Sequence, residues 1–121
     1  MRIKFQSSNK IVALVGKKVV GYLQFEYSND YSKRRNIDIS YIHINKNYRR
    51  KGIGTLLLIF LYVKKPEVTW VSLWTSYEME KNNAHSFYAI NGYTEMAYQE
   101  DYYENGVGTR LYTIRIKRKR D

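Results

Sequence analysis

The segment Arg49-Arg50-Lys51-Gly52-Ile53-Gly54 carries the residue types that hold phosphate. Glycine lets a backbone come close to an anion or take a positive φ, and Gly52 and Gly54 are expected to meet both needs. A loop that turns from a strand into a helix aims several free N–H groups at one spot, at the positive end of the helix. Phosphate oxygens bind there without needing a particular side chain. Arg49, Arg50 and Lys51 add mobile positive charge at the same point. Two nucleotide loops are excluded on residues. A Walker-type loop needs Gly-Lys-Ser/Thr, but Gly54 is followed directly by Thr55. A dinucleotide fingerprint needs a third glycine where Leu57 stands. On the local string alone, the competing reading is a basic turn with two helix-start glycines and no ligand.

Groups able to move protons are few in kind. The chain has no cysteine, which removes thiolate nucleophiles, disulfides and Cys-based zinc sites. His43 and His85 are the only imidazoles. They fall on separate predicted elements with no carboxylate at ligand spacing, so no metal site is predicted. General acid–base chemistry is left to tyrosines, to Asp38 and His43, and more weakly to Glu26 and Glu78.

The elements that must position these groups follow from the apolar pattern. Ile11 to Val15 and Lys18 to Tyr27 are rich in β-branched and aromatic residues around Gly16-Lys17, which predicts a β-hairpin. Asn29-Asp30 marks a loop, and a strand follows from Asn36 to Asn45. A regular strand sets Ile37, Ile39, Tyr41 and His43 on one face and Asp38, Ser40, Ile42 and Ile44 on the other. Ile53, Leu56, Leu57, Phe60 and Leu61 share a helical face, with Leu58, Ile59, Tyr62 and Val63 also apolar; Lys64-Lys65 and Pro66 end the helix. Val68 to Thr75 reads as a strand and Ser76 to Lys81 as a polar loop. Asn82 or Asn83 is placed to cap a short helix bearing Ala84, Phe87 and Tyr88, which Asn91-Gly92 stops. Tyr93 to Tyr98 and Thr109 to Lys117 are the last strands, with Asn105-Gly106 as the turn signal. The order predicts an α/β (α+β) architecture with one central sheet, and 121 residues fit a single domain, 1–121.

Two strings make a family visible. Tyr41 to Leu57, with Arg49, Gly52 and Gly54 at fixed positions, resembles the acetyl-CoA motif Gln/Arg-x-x-Gly-x-Gly/Ala of the GNAT superfamily, set between a strand and a helix. Ala84-His85-Ser86-Phe87-Tyr88, then Gly92-Tyr93, resembles a second GNAT signature, Ala-x-x-Phe-Tyr followed by Gly-Phe/Tyr. The resemblance covers residues 11–117. It implies a central mixed, mostly antiparallel sheet with splayed strands flanked by helices. It also implies an N-acetyltransferase in which an amine attacks acetyl-CoA directly. The strands at Ile37–Ile44 and Val68–Thr75 would part at one end and hold the pantetheine arm against backbone groups of Ile42, His43 and Ile44. The pyrophosphate would sit on Arg49, Arg50, Lys51, Gly52, Ile53, Gly54 and Thr55, with Phe87 and Tyr88 also against the cofactor.

The resemblance implies that Tyr88 is the general acid for the departing thiolate. A backbone N–H of the splayed strand would meet the charge developing on the carbonyl oxygen. Asp38 aligns with a strand position where some members carry a catalytic glutamate, and His43 adjoins the carbonyl that should face the thioester. On a regular strand these two point to opposite faces. An asparagine contacts the cofactor at the start of this helix in many relatives. That contact is carried to Asn83, although the usual spacing falls on Lys81.

One departure is large. Relatives place two helices between their first and second strands, and these wall the acceptor pocket. Here only Gln6 to Lys10 separates Met1–Phe5 from Ile11–Val15. The acceptor side should then be open, completed by a second subunit such as a homodimer partner, or shaped for a large substrate. The same truncation favours the alternative reading, a non-catalytic GNAT-like module that binds CoA or a protein. The net charge of +10 attracts polyanions, and Lys33-Arg34-Arg35 and Lys117-Arg118-Lys119-Arg120 raise nucleic acid as a third, less favoured partner. The longest apolar run, Ile53 to Val63, is too short to span a bilayer, and no signal peptide precedes it. A cytoplasmic protein without membrane partners is expected, with an amine of unread type as acceptor.

Overall fold

The structure is a computed structural model and describes residues 1–28 and 35–116. The basic stretches at Lys33-Arg34-Arg35 and Lys117–Arg120 fall outside it, apart from the backbone of Arg35. The strands are β1 (Arg2–Ser7), β2 (Lys10–Val15), β3 (Lys18–Tyr27), β4 (Arg35–Ile44), β5 (Val68–Trp74), β6 (Thr94–Glu104) and β7 (Val107–Arg115). The helices are α1 (Ile53–Lys64), α2 (Tyr77–Lys81) and α3 (His85–Ile90), with a 3-10 turn at Lys46–Tyr48. The strands form one sheet in the order β1-β2-β3-β4-β5-β7-β6. All neighbours are antiparallel except β4 and β5, which run parallel. Only Ser8 and Asn9 join β1 to β2, so no helix stands between those strands.

The helices lie on one face of the sheet. α1 packs on β2, β3 and β4, and its Leu57, Leu58 and Leu61 meet Ile11, Leu23, Phe25, Ile37 and Ile39 in the core. Leu58, not Leu56, faces inward. Leu56, Ile59 and Val63 lie exposed on the outer side of α1. α3 contributes Tyr88 to the same core. The opposite face of the sheet carries Tyr22, Gln24, Tyr41 and His43, and leaves Trp70 and Trp74 exposed.

Three local expectations change. Ser76 to Lys81 is not a loop. The Ser76 hydroxyl accepts from the Met79 N–H at 3.2 Å and starts α2. Neither Asn82 nor Asn83 caps α3, which begins at Ala84 without a side-chain cap. β6 runs on to Glu104, past the expected strand end at Tyr98, and so includes Tyr102 and Tyr103.

The largest change is in β4. Its register to β3 shifts between Gln24↔Tyr41 and Phe25↔Ile39, leaving Ser40 as the extra residue. A bulge of one residue inverts the facing of everything beyond it. Ile37 and Ile39 point to the core, and so do Ile42 and Ile44. Asp38, Tyr41 and His43 therefore share the outer face, so the expected opposition of Asp38 and His43 does not hold.

Candidate active site

β4 and β5 pair from Arg35↔Val68 to Asp38↔Ser72, and no pairing is recorded beyond that point. From there β5 pairs only with β7, and the two strands open as a V. The cleft that begins in this gap has a volume of about 840 Å³. It runs along Ile42, His43 and Ile44 to the turn at Arg49, Arg50, Gly52, Ile53, Gly54 and Thr55, and is closed on its other side by Asn83, Phe87 and Tyr88. Of the residues proposed from sequence, Lys51, Asp38 and the weaker candidate Glu26 do not line it, whereas Glu78 does. Sequence reasoning missed Tyr41, Tyr48, Ser76, Met79 and Ser86 as lining residues. The spacing Ser76-x-x-Met79 was a readable helix-start signal, because serine is a strong N-cap.

The turn supplies anion-binding groups in an ordered way. Gly52 is the N-cap of α1 at φ 80, with no side chain capping it. The first helical bond runs from the Leu56 N–H to the Gly52 carbonyl at 3.0 Å. The amides of Ile53, Gly54 and Thr55 thus have no acceptor within the helix and point out of its positive end. Arg50 also holds a positive φ, 61°. Gly54 does not: a Cβ there would lie 2.9 Å from Phe87 Cζ, so its role is to let α1 and α3 approach. The Arg49 Nε donates to the Ile44 carbonyl at 3.0 Å, which fixes the turn to the end of β4. Ile42, two residues earlier, presents its backbone along the same edge.

Tyr88 is buried and gripped by aromatic rings. Tyr112 stacks on it at 5.0 Å, and Tyr93 and Phe87 meet it edge-on at 5.6 and 5.1 Å. Its hydroxyl donates to Met79 Sδ at 3.7 Å, a weak acceptor. Burial pushes the phenol far above its ordinary range, and the Tyr112 and Tyr62 hydroxyls add to the rise. The hydroxyl keeps its proton at every pH near neutrality.

On the outer face His43 packs against the rings of Tyr22 and Tyr41. Asp38 stands opposite Glu26 on β3. Partial burial and the neighbouring Glu26 charge raise its carboxyl above the ordinary value. Among the described residues neither carboxylate is ion-paired. No group of three or more potential metal ligands gathers among them either, and none of their helices is long and apolar enough to cross a membrane.

A family model described as an acetyltransferase (GNAT) domain matches residues 6–95. The chain belongs to the GNAT acetyltransferase family. The GNAT fold is seen again in solved structures. An acetyltransferase of the GNAT family from Streptococcus pneumoniae is 23% identical with a TM-score of 0.71, over 93% of this chain and 70% of that one. An aminoglycoside 6'-N-acetyltransferase complexed with coenzyme A is 14% identical with a TM-score of 0.73, over 93% and 74%. A GNAT family acetyltransferase from Elizabethkingia anophelis with acetyl-CoA bound is 15% identical with a TM-score of 0.68, over 88% and 75%. No curated protein matches the chain.

Proposed function

We propose that this GNAT protein transfers an acetyl group from acetyl-CoA to a primary amine by direct attack. The observation that carries the reading is the continuity of one cleft. It joins the free amides at the start of α1 to the parted edge of β4 and reaches Tyr88. Coenzyme-bound relatives of the same fold support acetyl-CoA as the donor. Acetyl-CoA supplies an activated acyl group, and the residues around the cleft do the rest.

The amides of Ile53, Gly54 and Thr55 hold the pyrophosphate, and Arg50 and Lys51 add charge beside it. Backbone groups of Ile42 and Ile44 align the pantetheine arm in place of the missing strand partner. An N–H of this edge faces the carbonyl oxygen as negative charge builds there. Tyr88 donates to the leaving sulfur. Its hydroxyl is free to turn, because the bond it gives up is only to a thioether. Burial keeps it protonated, so the donor is always loaded, but full transfer to a thiolate is uphill. An ordinary thiol titrates near about 8.5, below Tyr88. The phenol therefore stabilises the thiolate mainly by sharing its proton.

The attacking nitrogen loses a proton and the C–S bond breaks as the C–N bond forms. His43 and Asp38 stand on the face from which the amine would arrive, with His43 at the cleft and Asp38 at the foot of the V. His43 is the better placed base. Charge supports an amine as acceptor, since an amine is a cation before it reacts. No lysine or arginine lies between Asn82 and Thr109, whereas Glu95, Glu100, Asp101 and Glu104 do. β6 thus carries carboxylates and no basic residue, while Arg49, Arg50 and Lys51 stand at the turn into α1.

The test is Gly52→Glu. A side chain at this position carries the strain of a left-handed backbone and sets a carboxylate among the phosphates. Calorimetry should show acetyl-CoA affinity reduced at least about a hundredfold; unchanged affinity would remove the loop from the site. The uncovered sheet face supports a second reading, a module that binds CoA without catalysis. Release of free CoA in the presence of a panel of amines separates the two.

A further inference from the structure

The side chains of α2 reach in two directions. Tyr77 donates to Glu104 of β6 at 2.7 Å, and Glu80 accepts from Thr75 Oγ1 at 2.8 Å and from the Arg110 guanidinium of β7. Both anchor α2 on the β6–β7 side. Glu78 reaches the other way. It accepts from the Tyr41 hydroxyl at 3.2 Å and stands 3.7 Å from the Arg49 guanidinium. Arg49 in turn holds the Ile44 carbonyl. These contacts cross the gap in which β4 and β5 no longer pair, and Tyr41, Arg49 and Glu78 all line the cleft.

We propose that Glu78 is a positioning residue that sets the width of the cleft: a strap drawing α2 toward β4 over the arm of the bound acetyl-CoA. The inference rests on the acetyl-CoA reading of the cleft. Within a paired sheet, ladder hydrogen bonds fix the strand separation. Beyond Asp38 and Ser72 no ladder fixes it, and the Glu78 bridge does so instead. The Arg49 and Glu78 side chains are 38% and 50% exposed. A bridge between such groups is weak enough to open for the ligand and to re-form over it.

Charge alone predicts something different. A carboxylate aimed into a cleft for a polyanion repels it, so removing that charge should tighten binding. Size and charge can be separated by two substitutions. E78Q keeps the length and an acceptor oxygen for Tyr41 and Arg49, and E78A keeps neither.

The measurements are the dissociation rate and Kd of acetyl-CoA on the full chain, with steady-state KM and kcat. E78A should raise the dissociation rate and KM about tenfold with kcat little changed, the loss of one hydrogen bond and one exposed ion pair. E78Q should stay within about twofold of the parent. Y41F should weaken binding about threefold, and adding it to E78A should cost nothing further, because both act through one bridge. Equal behaviour of E78A and E78Q, whether both tighter or both unchanged, overturns the strap. Tyr77 and Glu80 still anchor α2 in E78A, so a folded variant is expected. Should it unfold, Y41F carries the test, and an unaltered dissociation rate there overturns the proposal. A parent protein that binds no acetyl-CoA sinks the cofactor reading and the strap with it. A parent that binds, with indifferent variants, sinks the strap alone.

Discussion

Tyr88 is a core residue, and in the reaction proposed above it is also the reagent. Its ring is fixed by Tyr112, Tyr93 and Phe87, while its hydroxyl donates to the Met79 thioether, a weak acceptor. Losing that hydroxyl should therefore cost little stability, under about 1 kcal/mol. The ring contacts remain in Tyr88→Phe, and any kinetic defect can be read directly. The expected result is a fall in kcat of about a hundredfold, with KM for acetyl-CoA nearly unchanged and the melting temperature within a few degrees. Unchanged kcat would remove Tyr88 from the reaction. The place of Tyr88 beside the cleft was legible because Ala84, Phe87, Tyr88 and Gly92-Tyr93 stand at fixed offsets. Met79 was not. A methionine among polar residues gives no sign that its sulfur will face a phenol nine residues on.

At the scale of elements, the cleft is lined by two irregular segments. One is the bulge in β4. Sequence reading assumed a regular strand and so put Asp38 and His43 on opposite faces. The signal that could have corrected it is in the isoleucines. Ile37 and Ile39 keep one phase and Ile42 and Ile44 the other, and only an inserted residue lets all four reach the core. The other irregularity is the turn into α1, where the two glycines were expected to serve the same purpose. Gly52 is needed for its backbone, and the space around it is open. Gly54 is needed for packing against Phe87. Alanine should destabilise at either position, by about 1 kcal/mol at 52 through left-handed strain and by about 1–3 kcal/mol at 54 through overpacking. Phe87→Leu in the same chain should recover part of the loss for Gly54→Ala and none of it for Gly52→Ala. Denaturant midpoints of the single and double variants measure this. Equal rescue of both would show that the glycines do not differ in this way.

Apart from α2, the element order of the whole molecule was legible, as was the strand-to-helix turn at residues 49–54, because those rest on short-range patterns. Its outer sheet face was less so. Which strands part, and which face stays uncovered, depends on long-range register. The interior carries a further consequence of composition: a tyrosine-rich chain buries hydroxyls. Tyr62 and Tyr93 share a hydrogen bond of 2.5 Å, and Tyr88 lies against Tyr93. Burial raises all three phenols, Tyr62 to about 12 and the other two further. In the unfolded chain tyrosines ionise near about 10. Below that pH both states are protonated and stability is unaffected. Above it the unfolded chain binds fewer protons than the native one, so stability falls as pH rises. For Tyr62 alone the window from pH 10 to 12 amounts to on the order of 3 kcal/mol, at about 1.4 kcal/mol per unit. The melting temperature should hold steady to about pH 9.5 and then drop steeply through pH 11. Tyr62→Phe should start lower, for loss of the buried hydrogen bond, and descend less steeply above pH 10. A melting temperature unchanged through pH 11 would mean that these hydroxyls ionise without unfolding the core around Tyr88.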